Sequence, residues 1–219
     1  MITGKLTMRK LIAVVVLSAV SVLPASAMAE EVTPPDVLIE QTMHEVLEII
    51  KKDSALLADE KRLLELVDAK ILPHFDFGRM TKLAVGKSWR TATPEQKQSL
   101  TTEFRTMLVR TYTKVFTTYK NPKVETKHVQ VAAGVEEIPV KTIISFSDGR
   151  FAKVEYEMEK TPTGWKAFDV TLEGVSLVTS YRGSFGDQIQ QTGVDGLIQK
   201  LAETNRNATT ASAKRAQAK

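Results

Sequence analysis

From Pro35 onward the apolar residues follow two different spacings, and the change from one to the other divides the chain. Ile39, Met43, Val46, Leu47 and Ile50 recur at i, i+4, i+7, i+8 and i+11, one face of a helix. Thr33-Pro34-Pro35 predicts its entry, a hydroxyl cap with proline in the first turn. Leu63, Leu64, Val67 and Ile71 predict a second, short helix that stops before Pro73. Asp76 is placed to cap a third over residues 77–85, which Gly86 closes. Thr93-Pro94-Glu95-Gln96 has the residues of a capping box with proline at the first helical position. The helix it opens carries Leu100, Phe104, Met107, Leu108, Tyr112, Val115 and Tyr119, and Asn121-Pro122 ends it after Lys120.

The spacing then becomes two. Val129 and Val131 suggest a strand, followed by a loop over residues 132–137. Ile138, Val140, Thr142, Ile144 and Phe146 form one face of the next strand, and Asp148-Gly149 is a hairpin turn signal. Val154, Tyr156 and Met158 alternate with Glu155, Glu157 and Glu159, a strand with one wet face. Thr161-Pro162-Thr163-Gly164 turns the chain into a fourth strand over residues 165–172. After Gly174, Phe185, Ile189, Val194, Leu197, Ile198 and Leu201 mark a C-terminal helix with glycines at 193 and 196 in its middle. Residues 205–219 hold no large apolar side chain and are expected to form a basic, disordered tail. The fold class that follows is α+β: a curved antiparallel sheet of four to five strands, packed with helices from both chain ends.

The first 29 residues have another character. Lys5, Arg9 and Lys10 precede a 13-residue apolar run over residues 11–23, then Pro24 and the small residues Ala25, Ala27 and Ala29. The run is shorter than the roughly 20 residues of a membrane-spanning helix, and its order is that of a secretory signal peptide. Cleavage fits after Ala27 or Ala29; the second leaves Glu30-Glu31 as a polar start. The expected organisation is a leader at 1–29, one domain at 30–204 and the tail at 205–219, with the mature protein exported.

Composition narrows the chemistry. With 42% hydrophobic and 26% charged residues the chain is of ordinary globular type, and without cysteine it has no disulfides, thiol nucleophiles or lipobox. The formal charge of +4 comes from the two ends, because the leader carries three cations and the tail carries Arg206, Lys214, Arg215 and Lys219 without an acid. The body is therefore mildly acidic, which removes the electrostatic support for nucleic-acid binding. His44, His74 and His128 are the only imidazoles and fit no metal-ligand spacing. No phosphate loop or nucleophile elbow occurs, and neither a metal nor another cofactor is expected. The remaining acid–base candidates are Asp169 with Glu173 and His128 with Tyr156. A carboxylate at a strand end ordinarily accepts backbone N–H groups, so no catalytic residue is assigned.

Two blocks of residues go further. Leu72-Pro73-His74-Phe75-Asp76-Phe77, Met80-Thr81-Lys82-Leu83-Ala84-Val85-Gly86, Trp89 and Ala92-Thr93-Pro94-Glu95-Gln96 form the first. The second runs from Phe168-Asp169 through Glu173-Gly174-Val175-Ser176-Leu177 and Tyr181-Arg182 to Gly193, Asp195-Gly196-Leu197 and Leu201. Over roughly residues 35–203 the chain resembles the MlaC family of periplasmic phospholipid carriers, also known as toluene-tolerance auxiliary proteins. The resemblance implies a monomeric binding protein with a cone-like sheet of the nuclear-transport-factor type. It implies acyl chains in an apolar pocket with the headgroup outside, and lipid shuttled between an outer-membrane lipoprotein complex and an inner-membrane ABC transporter carrying an MCE-domain protein. That traffic maintains outer-membrane lipid asymmetry.

On this reading the inward sheet face supplies Val140, Ile144, Phe146, Val154, Tyr156 and Met158 to the pocket. Leu83, Leu108, Tyr112 and Val115 form its helical wall, and Val175 and Leu177 come from the segment after the meander. Arg150 and Lys153, beside the Asp148-Gly149 turn, are the expected headgroup rim. Two other classes remain open from the residues alone: a cone-fold isomerase or dehydratase with a buried acid–base pair, and an exported adaptor with a filled core.

Overall fold

Pro34 and Pro35 start the first helix by conformation rather than by a hydroxyl. The structure, a computed structural model, describes residues 32–118 and 122–217; the expected leader lies outside them. Helix α1 spans Pro35–Lys52 with Pro34 as its cap and no side-chain cap bond, so Thr33 does not play the part expected of it. Proline at N1 has no amide to leave unsatisfied. A 3₁₀ turn over Ser54–Ala58 leads to α2, Glu60–Lys70, capped by the Asp59 carboxylate accepting the Arg62 N–H at 3.1 Å. A second 3₁₀ turn, Leu72–His74, leads to α3, Phe77–Val85, where Asp76 accepts the Arg79 N–H at 2.7 Å. Gly86 closes α3 at φ +66°, a conformation that strains any side chain.

Helix α4, Pro94–Thr118, opens with the reciprocal capping bonds its sequence announces. The Gln96 N–H donates to the Thr93 hydroxyl at 3.2 Å, and the Thr93 N–H donates to the Gln96 side chain at 3.0 Å. The strands are β1 (Lys123–Thr126), β2 (Glu137–Ser145), β3 (Phe151–Thr161), β4 (Gly164–Leu172) and β5 (Val175–Ser176), paired antiparallel in chain order. This is the expected α+β class with five strands, but its first strand is displaced. Lys123–Thr126 pairs with Thr142–Ser145, whereas Val129 and Val131 lie in irregular chain and pack against the sheet core.

The β3–β4 register shifts where Glu157 faces Asp169 and Met158 faces Ala167, which leaves Phe168 as the extra residue of a bulge. Its ring is covered by the Arg79 guanidinium, 3.5 Å from the centroid. That guanidinium also bonds Glu159 at 2.6 Å and Glu137 at 2.7 Å, fastening α3 to the outer face of the sheet. Helix α5, Leu177–Gln217, is kinked at Gly193, whose φ of 74° and ψ of −179° break the helical path. The C-terminal segment is not the irregular tail its composition suggested, because the helix runs through it to Gln217. Asn205 is buried there and donates to the Glu103 carbonyl at 3.0 Å and its carboxylate at 2.7 Å.

Two separate cores result. Met80, Ala84, Leu100, Phe104, Phe185, Leu197 and Leu201 join α3, α4 and α5. Ile39, Val140, Met158, Trp165 and Ala167 seat the start of α1 on the sheet. Asp36 pins the same end, since its carboxylate accepts the Val129 N–H at 3.1 Å and lies 2.8 Å from the exposed His128 ring. Burial alone would raise this carboxyl, but the Val129 and His128 bonds outweigh it and hold Asp36 below its ordinary 3.8. A depressed folded pKa stabilises above the unfolded value, and the contribution is lost as pH falls through the folded one. Asp36→Ala is therefore expected to lower the melting temperature at neutral pH, with the gap to wild type closing below about pH 4. A gap that stays constant down to acid unfolding would refute the anchoring role.

Candidate functional site

Between the two cores the sheet's inner face is not covered by a helix. The space left is a cavity of about 1360 Å³, larger than the roughly 300–1,000 Å³ of pockets for drug-sized ligands. Its walls follow directly from local periodicity. Ile39, Met43 and Leu47 on α1, and Leu108, Tyr112 and Phe116 on α4, recur every four residues and so line one side of each helix. The turn segments contribute Leu57, Ile71, Leu72 and Phe75, and Phe77 comes from the first turn of α3. The sheet contributes Val124, Ile144, Phe146, Val154, Tyr156, Val170 and Leu172, and Leu177 begins α5 at the edge. Register explains the selection: Val124 faces Ile144, Val154 faces Leu172 and Tyr156 faces Val170 across neighbouring strands. Such partners share one side of the sheet.

The exposed members of the lining are Glu40, His44 and Lys51 on α1, Ser54 and Ala58 in the turn that follows it, Thr117 near the end of α4 and Lys123 at the start of β1. The cavity thus reaches solvent between α1 and the end of α4. Polar side chains in it are few, and burial works against charge on three of them. Burial pushes the Tyr156 hydroxyl up to about 12. Burial and the Tyr181 hydroxyl raise Tyr112. Burial, then the nearby Lys166 charge, hold the His74 imidazole below its ordinary 6.5 against the pull of Glu45. The site can surround a long apolar ligand, and neutral Tyr156 offers it a hydroxyl.

Of the pocket residues expected from the sequence, Leu108, Tyr112, Ile144, Phe146, Val154, Tyr156 and Leu177 face this cavity. Val140 and Met158 do not; they share the inner face but lie fully buried under α1 in the sheet core. Leu83 packs against the helical core instead. Val175 is 59% exposed on the edge strand, outside the wall. The Val115 side chain lies outside the described residues. The expected rim is also displaced. Arg150 is folded onto Asp148, with its Nε 2.8 Å from the carboxylate. The Lys153 ammonium lies over the exposed Phe151 ring at 5.9 Å. Neither lines the cavity, whose edge cations are Lys51 and Lys123.

The reading missed the α1 face, Phe75, Phe77, Val170 and Leu172. The i, i+4 spacing of α1 signalled a buried face without telling core from cavity. The acid–base candidates are committed elsewhere. Asp169 accepts the Val170 N–H at 2.8 Å, the Val178 N–H at 3.1 Å and the Ser176 hydroxyl at 2.5 Å. Glu173 accepts the Lys153 N–H at 2.5 Å. His128 is held by Asp36 away from Tyr156. No helix among the described residues is long and apolar enough to cross a membrane.

Comparison with known proteins adds four findings. A family model described as MlaC protein matches residues 40–203. The phospholipid-binding protein from Ralstonia solanacearum, solved in complex with a phospholipid, superposes with a TM-score of 0.73 at 34% sequence identity, covering 80% of this chain and 98% of that one. Among curated relatives, the intermembrane phospholipid transport system binding protein MlaC of Haemophilus influenzae is 22% identical over 183 residues, 82% of this chain and 85% of its own length. The toluene tolerance protein ttg2D of Pseudomonas putida is 26% identical over 106 residues, so the match spans 49% of that relative and 48% of this chain.

Proposed function

Because the chain belongs to the MlaC protein family, we propose that it is a phospholipid carrier and not an enzyme, exported to the periplasm after removal of residues 1–29. The observation that carries this reading is the 1360 Å³ cavity with its aliphatic and aromatic walls. A diacyl lipid has about 30 methylenes, and at ~0.8 kcal/mol each their exposure to water costs on the order of 20 kcal/mol. A carrier must replace the bilayer for nearly all of them, which calls for a continuous apolar container. It must also not outbid the bilayer, so that transfer stays a near-balanced exchange. The mouth between α1 and α4 suits that requirement, since cargo enters and leaves without unfolding the sheet. We assign the two docking partners as an outer-membrane lipoprotein complex and an inner-membrane MCE-domain ABC transporter, and the role as maintenance of outer-membrane lipid asymmetry.

The test is the mass of the protein itself. Expressed to a bacterial periplasm and purified without detergent, it is expected to carry a stoichiometric phospholipid adduct in native mass spectrometry, lost on organic extraction. A bare polypeptide that stays bare after incubation with phospholipid vesicles would sink the carrier reading.

A further inference from the structure

The hydroxyl that Tyr156 presents to the cavity has no hydrogen-bond partner among the described residues. Burial alone shifts its ionisation, so it remains a neutral donor. Other hydroxyls on the wall have a recourse that it lacks. Thr42 and Thr113 lie on helices, where a threonine can bond the carbonyl four residues earlier. Tyr112 has the Tyr181 hydroxyl beside it. Position decides what cargo can offer Tyr156 in exchange. Tyr156 faces Val140 across β2, and its ring packs against the sheet core beneath α1. Lys123 at the mouth faces Ser145, five residues further along β2 and about 17 Å away by the rise of an antiparallel strand. A phosphodiester and its ester groups held at the mouth leave methylenes beside the hydroxyl, and methylenes accept no hydrogen bond.

We propose that Tyr156 limits how firmly cargo is held: acyl chains that reach the closed end of the cavity displace water from its hydroxyl and supply no acceptor in return. The inference rests on the carrier reading and names the residue that keeps its exchange balanced. In the empty protein, cavity water accepts from the hydroxyl. In a bilayer the same chains meet no stranded donor. The unmet bond therefore weighs against the loaded carrier alone and tilts exchange toward release. A phenyl ring in its place fills nearly the same space without that penalty, so the carrier holds its lipid better and delivers it worse.

The experiment loads delipidated full-length mature protein from vesicles of palmitoyl-oleoyl phosphatidylglycerol, and separately with dihexanoyl phosphatidylglycerol, whose short chains end before Tyr156. Native mass spectrometry reads the occupancy. Tyr156→Phe is expected to lower the long-chain lipid concentration for half-loading about tenfold. Its discharge into excess vesicles should slow by a similar factor, while loading with the short-chain lipid matches wild type. Weaker long-chain loading by Tyr156→Phe overturns the proposal, because the hydroxyl then bonds the cargo. Unchanged loading also overturns it, because the hydroxyl then keeps its water in the filled cavity. An equal gain with the short-chain lipid overturns it as well, since chain length then has no part in the effect. Wild-type protein that takes up neither lipid refutes the carrier reading instead.

Discussion

Ile144→Glu is expected to abolish lipid loading while the protein stays folded. Ile144 lies on the inner face of β2, between Val124 of β1 and Ala152 of β3, and is partly open to the cavity. In the empty protein a carboxylate there is wetted by cavity water, so folding loses little. Once acyl chains fill the space, the carboxylate must be dehydrated without a partner or take up a proton. Either costs several kcal/mol, which is more than a hundredfold in affinity. Native mass spectrometry after vesicle incubation reads the loss, and the melting temperature reads the fold. Val175→Glu is the matched control: its side chain is 59% exposed and outside the wall, so loading should be unchanged. Normal loading by a folded Ile144→Glu protein would mean that acyl chains never reach the sheet.

The largest effect on stability is expected from Phe104→Ala. Phe104 has no exposed surface and meets Tyr181 and Phe185 edge-on, with ring centroids 5.2 and 5.1 Å away. Removing it empties the point where α4 and the first half of α5 meet. Large-to-small changes of this kind cost about 3–5 kcal/mol, and at about 2–4 °C per kcal/mol for a chain of this size the melting temperature should fall roughly 10 °C. The ring is not in the cavity wall, so loading well below the transition should be normal. A fall of under about 2 °C would show that the helices close the gap by repacking.

These two residues also mark what could be read without a structure. Asp76 and the Thr93–Gln96 pair were legible because a helix cap is decided within four residues. Period two named Ile144 and Val140 alike as inward, and correctly so. What separates them is tertiary: Ile39 of α1 covers Val140, while nothing fills the space over Ile144. No local pattern carries that difference. The misplaced first strand has a similar cause. Val129 and Val131 look more strand-like than Lys123–Thr126, yet pairing is set by the partner β2, and the valines are used against the core instead. The C-terminal segment was misread because its anchor, Asn205 on Glu103, spans 102 residues. The expected headgroup cations failed for an opposite reason, since Arg150 is satisfied by Asp148 two residues away.

The meander has a consequence for how the container is made. Every ladder in the sheet joins strands that are neighbours in the chain, so the sheet can zip hairpin by hairpin with little loop-closure entropy at each step. The contacts that complete the wall are of the other kind. Helix α1 reaches its place through Asp36 and Val129, 93 residues apart. The sheet should therefore gain amide protection before α1 does in pulsed hydrogen exchange, and simultaneous protection would argue against this order. On this order the chain passes through a stage that has its strands but no compartment: the vessel is assembled last, by the element that enters the sequence first.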